Sequence, residues 1–216
     1  MPFDFKKGIT IMSLAALALT ASGCRLVSQA EFQAAQPPGS ASAFGTEALE
    51  ERWESEYLPY LRSRAVEADA LWAVLAESLP AAGERYGEQP GLASPWTFVL
   101  SADVTVTRKD LDSRTGSVAV EARPDGASRS WTILTGPVLI EMPIRDALPS
   151  ITYNDVDDQV VYAEIGAALN EKALQRARPV LAEAEVGDRL RLLGAFSLDD
   201  PAEGVRIVPI ELTRAE

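Results

Sequence analysis

Two apolar stripes at helical spacing dominate the segment from residue 47 to about residue 86. The first stripe recurs at i, i+4 and i+8, and it consists of Leu49, Trp53 and Tyr57. The second consists of Leu71, Trp72, Leu75 and Leu79. We expect Pro59 to end or kink the first helix near Leu58, and Pro80 to end the second. Aromatic residues at helical spacing usually face a core, so we interpret both stripes as packing surfaces rather than ligand sites.

From Trp96 the pattern changes to β-branched and aromatic residues separated by turn signals. The five predicted strands cover residues 96–107, 116–121, 130–142, 189–198 and 205–213. A helix is predicted over residues 160–178, with Pro179 near its end. We expect the third strand to bend around Gly136 and Pro137. The fifth strand should lie at a sheet edge, because Pro209 has no N–H to donate to a neighbour.

The order of elements, three strands, a helix and two strands, is that of an OB-fold. The sequence therefore predicts an α+β protein with an OB-like five-stranded β-barrel, a helix between strands 3 and 4, and a short helical N-terminal region. A generic α+β sandwich built from the same elements is the alternative. The predicted organisation is a signal peptide (1–23), a flexible tether (24–46), a helical region (47–92) and the barrel domain (93–216).

The first 24 residues have the pattern of an export signal. Lys6 and Lys7 precede an apolar stretch over residues 8–20, which is too short to cross a bilayer as a helix. Three small residues then lead to Cys24, although Ala21 stands where such signals usually carry leucine. This pattern resembles the lipobox of bacterial lipoproteins. It predicts lipidation of Cys24 and a location in the cell envelope, on the extracytoplasmic side of the membrane. An ordinary secreted protein and an uncleaved membrane anchor are the alternatives.

Composition narrows the classes of function. The formal net charge of −12 argues against nucleic acid as a partner, because phosphates demand clustered Lys and Arg. The chain has no histidine, and its one cysteine is Cys24. The absence of histidine removes the commonest general base, the Ser–His and Cys–His nucleophile pairs and most zinc sites, and Cys24 is assigned to lipidation. We therefore expect no enzymatic activity, no cofactor and no metal.

The segment 145–159, between the third strand and the helix, is the best candidate ligand or partner site. Its dense polar and aromatic groups could orient a sugar or a peptide. The candidates are Arg145, Asp146, Tyr153, Asn154, Asp155 and Gln159. The alternative is structural, in which Asp155 or Asp158 caps the following helix and Arg145 pairs with Asp146 or with the strand edge.

Two further hypotheses attach to polar residues of the chain. The run 154–158 superficially resembles a calcium loop, but it lacks the glycine at position six and the glutamate at position twelve of an EF-hand. Residues 113–116 lie where OB-folds often border their binding face, yet a turn with Gly116 in a special backbone conformation is the interpretation we favour.

A series of short motifs carries a family resemblance over about residues 45 to 213. It includes Ser113-Arg114-Thr115-Gly116, Gly136-Pro137, Arg145-Asp146-Ala147-Leu148-Pro149, Tyr153-Asn154-Asp155 and Gly194-Ala195-Phe196. The pattern resembles a family of predicted periplasmic lipoproteins of unknown function, whose members are often encoded near sugar ABC transporters. The resemblance implies a non-enzymatic binding or accessory module, with a transporter component or a sugar as partner. A structural or envelope-assembly lipoprotein is the alternative, and a glycan hydrolase using Asp146 and Asp155 is a minor one.

Overall fold

The computed structural model describes residues 45–215. The predicted signal peptide, Cys24 and the tether up to residue 44 lie outside the described residues. Contacts divide the chain into Met1–Pro38 and Gly39–Glu216, and every element below belongs to the second unit. None of the helices between residues 45 and 215 combines the length and apolar character of a membrane span.

Residues 45–215 contain seven α-helices and six strands. The helices are α1 (Thr46–Arg52), α2 (Leu58–Arg64), α3 (Ala68–Leu75), α4 (Leu79–Tyr86), α5 (Pro143–Asp146), α6 (Tyr153–Val156) and α7 (Gln159–Glu183). A π-helical turn, Trp53–Tyr57, joins α1 to α2, and a 3-10 turn covers Pro124–Gly126. The strands are β1 (Val66–Glu67), β2 (Trp96–Asp110), β3 (Ser117–Ala122), β4 (Arg129–Leu134), β5 (Arg189–Leu198) and β6 (Arg206–Arg214).

The strands form one mixed sheet in the order β1-β2-β3-β4-β6-β5, and β2 pairs with β5 as well. Five strands therefore close into a ring. Two pairings are parallel, β1 with β2 and β4 with β6, and the others are antiparallel. The prediction of five strands missed β1, which is only two residues long and pairs outside the ring.

Hydrophobic cores lie on both sides of β2, β5 and β6. Inside the ring, Phe98 and Phe196 pack with Trp131 and with helix α3. On the outer face, Val99 and Val208 pack under the first helices and under α5, α6 and the first part of α7. This double burial explains why β2 begins with a nearly continuous apolar run and alternates only towards its end.

The apolar stripes of the N-terminal helices are buried, as predicted. Trp53 and Tyr57 have no exposed surface, and Leu71 has none. The ion pairs Lys172–Glu50 and Arg176–Glu54 tie this helical region to α7, and Arg62 bonds Glu211 of β6.

Prolines end fewer elements than the sequence predicted. The first predicted helix does not end near Leu58 but continues through Pro59 to Arg64 as α1, the π-helical turn and α2. It can continue because the hydrogen bonding becomes π-helical just before the proline, where the Leu58 N–H donates to the Trp53 carbonyl. Pro80 starts a helix instead of ending one, at the second position of α4 behind the cap residue Ser78.

Helix α7 runs through Pro179 to Glu183, which is five residues beyond the predicted end. A proline lacks the N–H that would bond the carbonyl four residues earlier. Here Pro179 and Gln175 are both exposed, so water can donate a hydrogen bond to the Gln175 carbonyl in place of the missing N–H.

The last strand is not an edge strand, because β6 lies between β4 and β5. Pro209 is accommodated by a bulge, where the register with β5 shifts between Leu193 and Gly194.

The third predicted strand is also too long, since β4 ends at Leu134 and not at Met142. The turn at residues 113–116 packs directly against its end, and Thr135 N–H donates to the Gly116 carbonyl at 2.9 Å. Gly116 has φ +22°, which agrees with the turn interpretation of this motif.

Replacing Gly136 by alanine should strongly destabilise this junction. A Cβ at Gly136 would stand 2.4 Å from the Thr115 carbonyl carbon and 2.6 Å from the Arg114 oxygen, both backbone atoms. We expect Gly136→Ala to lower the free energy of unfolding by about 1–3 kcal/mol or more in urea titrations. Gly204→Ala is the matched control, since a Cβ there meets no atom within 4 Å. It should change stability by less than about 0.5 kcal/mol. Equal effects of the two substitutions would contradict this account of the junction.

Candidate ligand-binding site

Arg145 and Asp146 form a half-buried ion pair at the end of α5. Arg145 donates from Nε and Nη2 to Asp146 Oδ1 at 2.8 and 2.6 Å, and from Nη1 to the Tyr162 carbonyl at 3.0 Å. The two side chains are only 13% and 17% exposed. Charge-assisted bonds of this kind fix the geometry of both partners. The structural interpretation of residues 145–159 predicted this pairing of Arg145 with Asp146.

Two tyrosines extend the pair into an aromatic cluster. The guanidinium carbon of Arg145 lies 3.8 Å from the centre of the Tyr162 ring, within cation–π range. The ring of Tyr153 meets that of Tyr162 edge-on, with centres 5.8 Å apart at 88°. Tyr153 stays 46% exposed, so one side of its ring remains open to solvent.

This cluster lines a cavity of about 440 Å³. The loop between α4 and β2 forms its other wall. The lining residues are Pro90, Ser94, Pro95, Arg145, Asp146, Tyr153, Gln159 and Tyr162. Among residues 45–215, no protein group hydrogen-bonds to Asp146 Oδ2, the Tyr153 hydroxyl, the Gln159 amide or the Ser94 hydroxyl, and these groups are open to solvent. The cavity therefore offers one carboxylate acceptor and several groups that both donate and accept.

Burial sets the electrostatics of the cavity. It raises the pKa of Asp146 above its ordinary value, and the adjacent Arg145 only partly opposes this. Burial also raises the pKa of Tyr162, with Asp146 adding to the effect and Arg145 opposing it. Arg145 and Asp146 carry opposite formal charges and are paired, so each offsets the charge of the other in the cavity.

Two of the six candidate residues lie elsewhere. Asp155 serves α6, because its Oδ2 accepts from the Thr152 N–H at 3.0 Å and from the Thr152 hydroxyl at 2.6 Å. These bonds lower the pKa of Asp155. Asn154 is exposed and does not line the cavity. The cavity thus brings together Arg145, Asp146, Tyr153 and Gln159.

Asp158 caps α7, as the structural interpretation proposed. Its Oδ1 accepts from the Val160 and Val161 N–H groups at 2.8 and 3.0 Å. Asp157 between the two helices has φ +50° and ends α6. Within residues 45–215, no group of three or more acidic, cysteine or histidine side chains is placed to hold a metal ion.

Sequence reasoning missed four of the lining residues as site residues. Tyr162 follows Gln159 by three positions in α7, and this helical spacing could have marked it as sharing a face. Pro90, Ser94 and Pro95 come from a loop about 50 residues upstream. No local pattern links that loop to residues 145–162.

Comparisons with known proteins place the fold and the family. A crystal structure of an OB-fold protein from Thermotoga maritima is similar to this chain, with a TM-score of 0.58 and 14% sequence identity. The likeness covers 79% of this chain and 97% of that one, so the fold is of the OB type within an α+β protein. No curated protein matches the chain in sequence. The family model described as predicted periplasmic lipoprotein (DUF2291) matches residues 14–213, and the chain belongs to this family of envelope lipoproteins.

Proposed function

We propose that this lipoprotein is a non-enzymatic binding module that holds a neutral, polyhydroxylated ligand, a sugar, in the cavity of Arg145, Asp146 and Tyr162. The observation that carries the proposal is one cavity that combines the exposed Tyr153 ring with a fixed carboxylate, Asp146, whose Oδ2 bonds no protein group among residues 45–215.

The free oxygen of Asp146 is suited to accept a hydrogen bond from a sugar hydroxyl. The oxygen is held in place because Oδ1 is clamped by two nitrogens of Arg145. Such preorganisation lowers the entropic cost of binding. The exposed face of Tyr153 offers a flat apolar surface to the C–H face of a sugar ring, while Gln159 and Ser94 supply further polar contacts.

The placement of the carboxylates argues for binding in this cavity rather than for glycan hydrolysis. A glycan hydrolase needs two carboxyl groups flanking one bond. The hydrolase hypothesis pairs Asp146 with Asp155. The Asp155 carboxylate is part of the capping box at the N-terminus of α6 and does not line the cavity. Arg145 already saturates one oxygen of Asp146. A positioned acceptor for binding is the role that this arrangement supports.

A partner protein is the second part of the proposal. Val160 is 56% exposed and directly follows Gln159 of the cavity lining, and Leu92, which is 102% exposed, lies between Pro90 and Ser94 in the loop that forms the other wall. Exposed apolar residues at the rim of a site favour a protein contact there. We propose a component of a sugar ABC transporter as that partner, in keeping with the family resemblance. A protein partner of envelope assembly without a sugar is the alternative.

We also propose that the closed ring of strands is an OB-type barrel. Its support is the pairing of β2 with β5, which leaves no open edge between the first and last strands of the ring.

Lipidation of Cys24 should anchor the chain to the membrane. One acyl chain binds a bilayer only marginally and two bind firmly, so loss of the acceptor thiol should release the protein. We expect wild-type protein expressed in a Gram-negative host to incorporate labelled palmitate and to sediment with membranes. Cys24→Ser should do neither. A Cys24→Ser variant that still incorporates palmitate would place the lipid elsewhere.

A thermal-shift screen tests the sugar site. The fragment Gly39–Glu216 contains both cores and the whole cavity, so it suits a screen against monosaccharides and oligosaccharides. A sugar at a hundred times its Kd should stabilise the fragment by about 2.7 kcal/mol and raise its Tm. Tyr153→Ala should weaken binding about tenfold, because an aromatic contact contributes about 1.5 kcal/mol.

Asn154→Ala is the matched control, one residue away on α6 and outside the cavity lining. Its Kd should equal that of the wild type. The proposal fails if no sugar shifts the Tm, or if Tyr153→Ala and Asp146→Asn bind a sugar as tightly as the wild type does.

A further inference from the structure

The large apolar side chains that are exposed among residues 45–215 form two groups. The first group lies in or beside the cavity described above and consists of Leu92, Tyr153 and Val160. The second group lies away from it and consists of Leu111, Val138, Ile140 and Val186. Ile140 is 91% exposed, although a branched apolar side chain in water is unfavourable. Grouped exposure of this kind marks a contact surface more often than single exposed residues do.

Hydrogen bonds gather the second group at one end of the strand ring, the loop end. The loop end consists of residues 111–116 between β2 and β3, residues 135–142 after β4, and residues 184–188 between α7 and β5. The Val138 N–H donates to the Arg114 carbonyl at 3.4 Å, which joins the first two loops. Lys109 Nζ donates to the carbonyls of Ala182 and Ala184 at 2.9 and 2.5 Å, which joins the end of β2 to the end of α7.

The loop end and the sugar cavity lie at opposite ends of the same two elements. Gln159 of the cavity lining is the first residue of α7, and residues 184–188 follow its last. The 25 residues of this helix span about 37 Å. Pro95 of the lining comes directly before β2, and Leu111 comes directly after it. A surface that contacts the loop end therefore leaves the cavity open.

The loop end also carries arginines without a carboxylate partner. Arg108 and Arg114 are exposed, and neither forms an ion pair among residues 45–215. Asp110 and Asp112 lie between them, so residues 108–114 carry no excess of negative charge, although the whole chain has a net charge of −12. A guanidinium binds phosphate through paired N–H groups. Exposed aliphatic side chains beside such groups match a phospholipid surface, which has phosphates above acyl chains.

The lipid anchor expected of this family brings such a surface within reach. The chain belongs to a family of predicted periplasmic lipoproteins. A flexible chain of the length of the predicted tether, residues 25–44, spans about 25 Å on average. Groups joined by a short tether meet at an effective concentration in the millimolar range, so even a weak contact is populated. A lipid on Cys24 therefore favours the bilayer over a soluble protein as the partner of the loop end.

We propose that the loop end docks on the phospholipid surface to which the chain is anchored. Leu111, Val138 and Ile140 insert between the headgroups, and the two arginines bind lipid phosphates. Val186 lies next to the exposed Glu185, so its turn stays at the level of the headgroups. Shallow apolar insertion, with cationic ends kept in the polar layer, is how proteins lie on a membrane. Docking directs the cavity away from the bilayer, and it does not depend on the proposed sugar binding.

A fluorescent label at the loop end tests this docking on the lipidated full chain. Cys24 is the one cysteine, and lipidation consumes its thiol, so an added cysteine can be labelled selectively. In vesicles of phosphatidylethanolamine and phosphatidylglycerol, an environment-sensitive label on Leu111→Cys should shift its emission to the blue and be quenched by brominated acyl chains. Asn154→Cys is the matched control, exposed near the other end of α7. Its label should show neither change.

A second set of variants tests the inserting side chains. The double variant Val138→Asp, Ile140→Asp should abolish the quenching of the label at Leu111→Cys, because charged groups do not enter the acyl layer. It should keep the wild-type Tm, since both side chains are exposed. Leu92→Asp is the matched control, an equally exposed apolar residue beside the cavity, and it should leave the quenching unchanged.

The arginines are tested in the same assay, where Arg108→Gln with Arg114→Gln should lower the quenching. The inference is overturned if the label at Leu111→Cys is quenched no more than the label at Asn154→Cys, or if neither double variant lowers its quenching. A blue shift that appears only at high protein density in the vesicles would also overturn it, because the loop end would then contact a second copy of the chain.

Discussion

The arrangement of this protein depends on one constraint: β2, β5 and β6 carry apolar side chains on both faces. The ring encloses one face through residues such as Phe98 and Leu192. The other face, with Val99, Val208 and Ile210, would be exposed to water without a cover. Burial of apolar surface contributes about 25 cal/mol per Å², so covering this face is worth a substantial part of the folding free energy. The N-terminal helices and the segment from α5 to α7 supply the cover.

The candidate site follows from that cover. Helix α5 is held on the outer core by Ile144, which is fully buried, and by Leu148, which is 2% exposed. This packing places Arg145 and Asp146 at the rim of the core, where both side chains are partly shielded from water but not fully desolvated. A half-buried pair of this kind contributes little net stability, since desolvation offsets the attraction. Its value lies in fixed geometry, because the free oxygen of Asp146 and the ring of Tyr162 keep their positions before a ligand arrives.

Local chemistry made part of this structure predictable. The stripe of Leu49, Trp53 and Tyr57 indicated a buried helix face, and the order of strands and helix indicated the OB type. Asp158 could be named as a cap of the following helix because capping depends on residues three or fewer positions away. Asp155, the other candidate for that cap, instead bonds Thr152 at the start of α6, a short helix that the sequence did not predict. Pro59 and Pro179 misled the predicted helix ends, because a π-helical turn and an exposed carbonyl accommodate the missing N–H groups. Pro209 misled the position of the last strand, because a bulge accommodates it inside the ring. The loop with Ser94 could not be assigned to the site, because tertiary packing alone brings it there.

Tyrosine signals offer the most direct test of the proposed binding site. The chain has five tyrosines. Two of them, Tyr153 and Tyr162, line the cavity, whereas Tyr57 is fully buried in the outer core. In a fragment with ¹³C-labelled tyrosine, titration with a sugar that raises the Tm should shift the ring signals of Tyr153 and Tyr162 and leave that of Tyr57 in place. Saturable sugar binding that moves neither Tyr153 nor Tyr162 would contradict the assignment of this cavity.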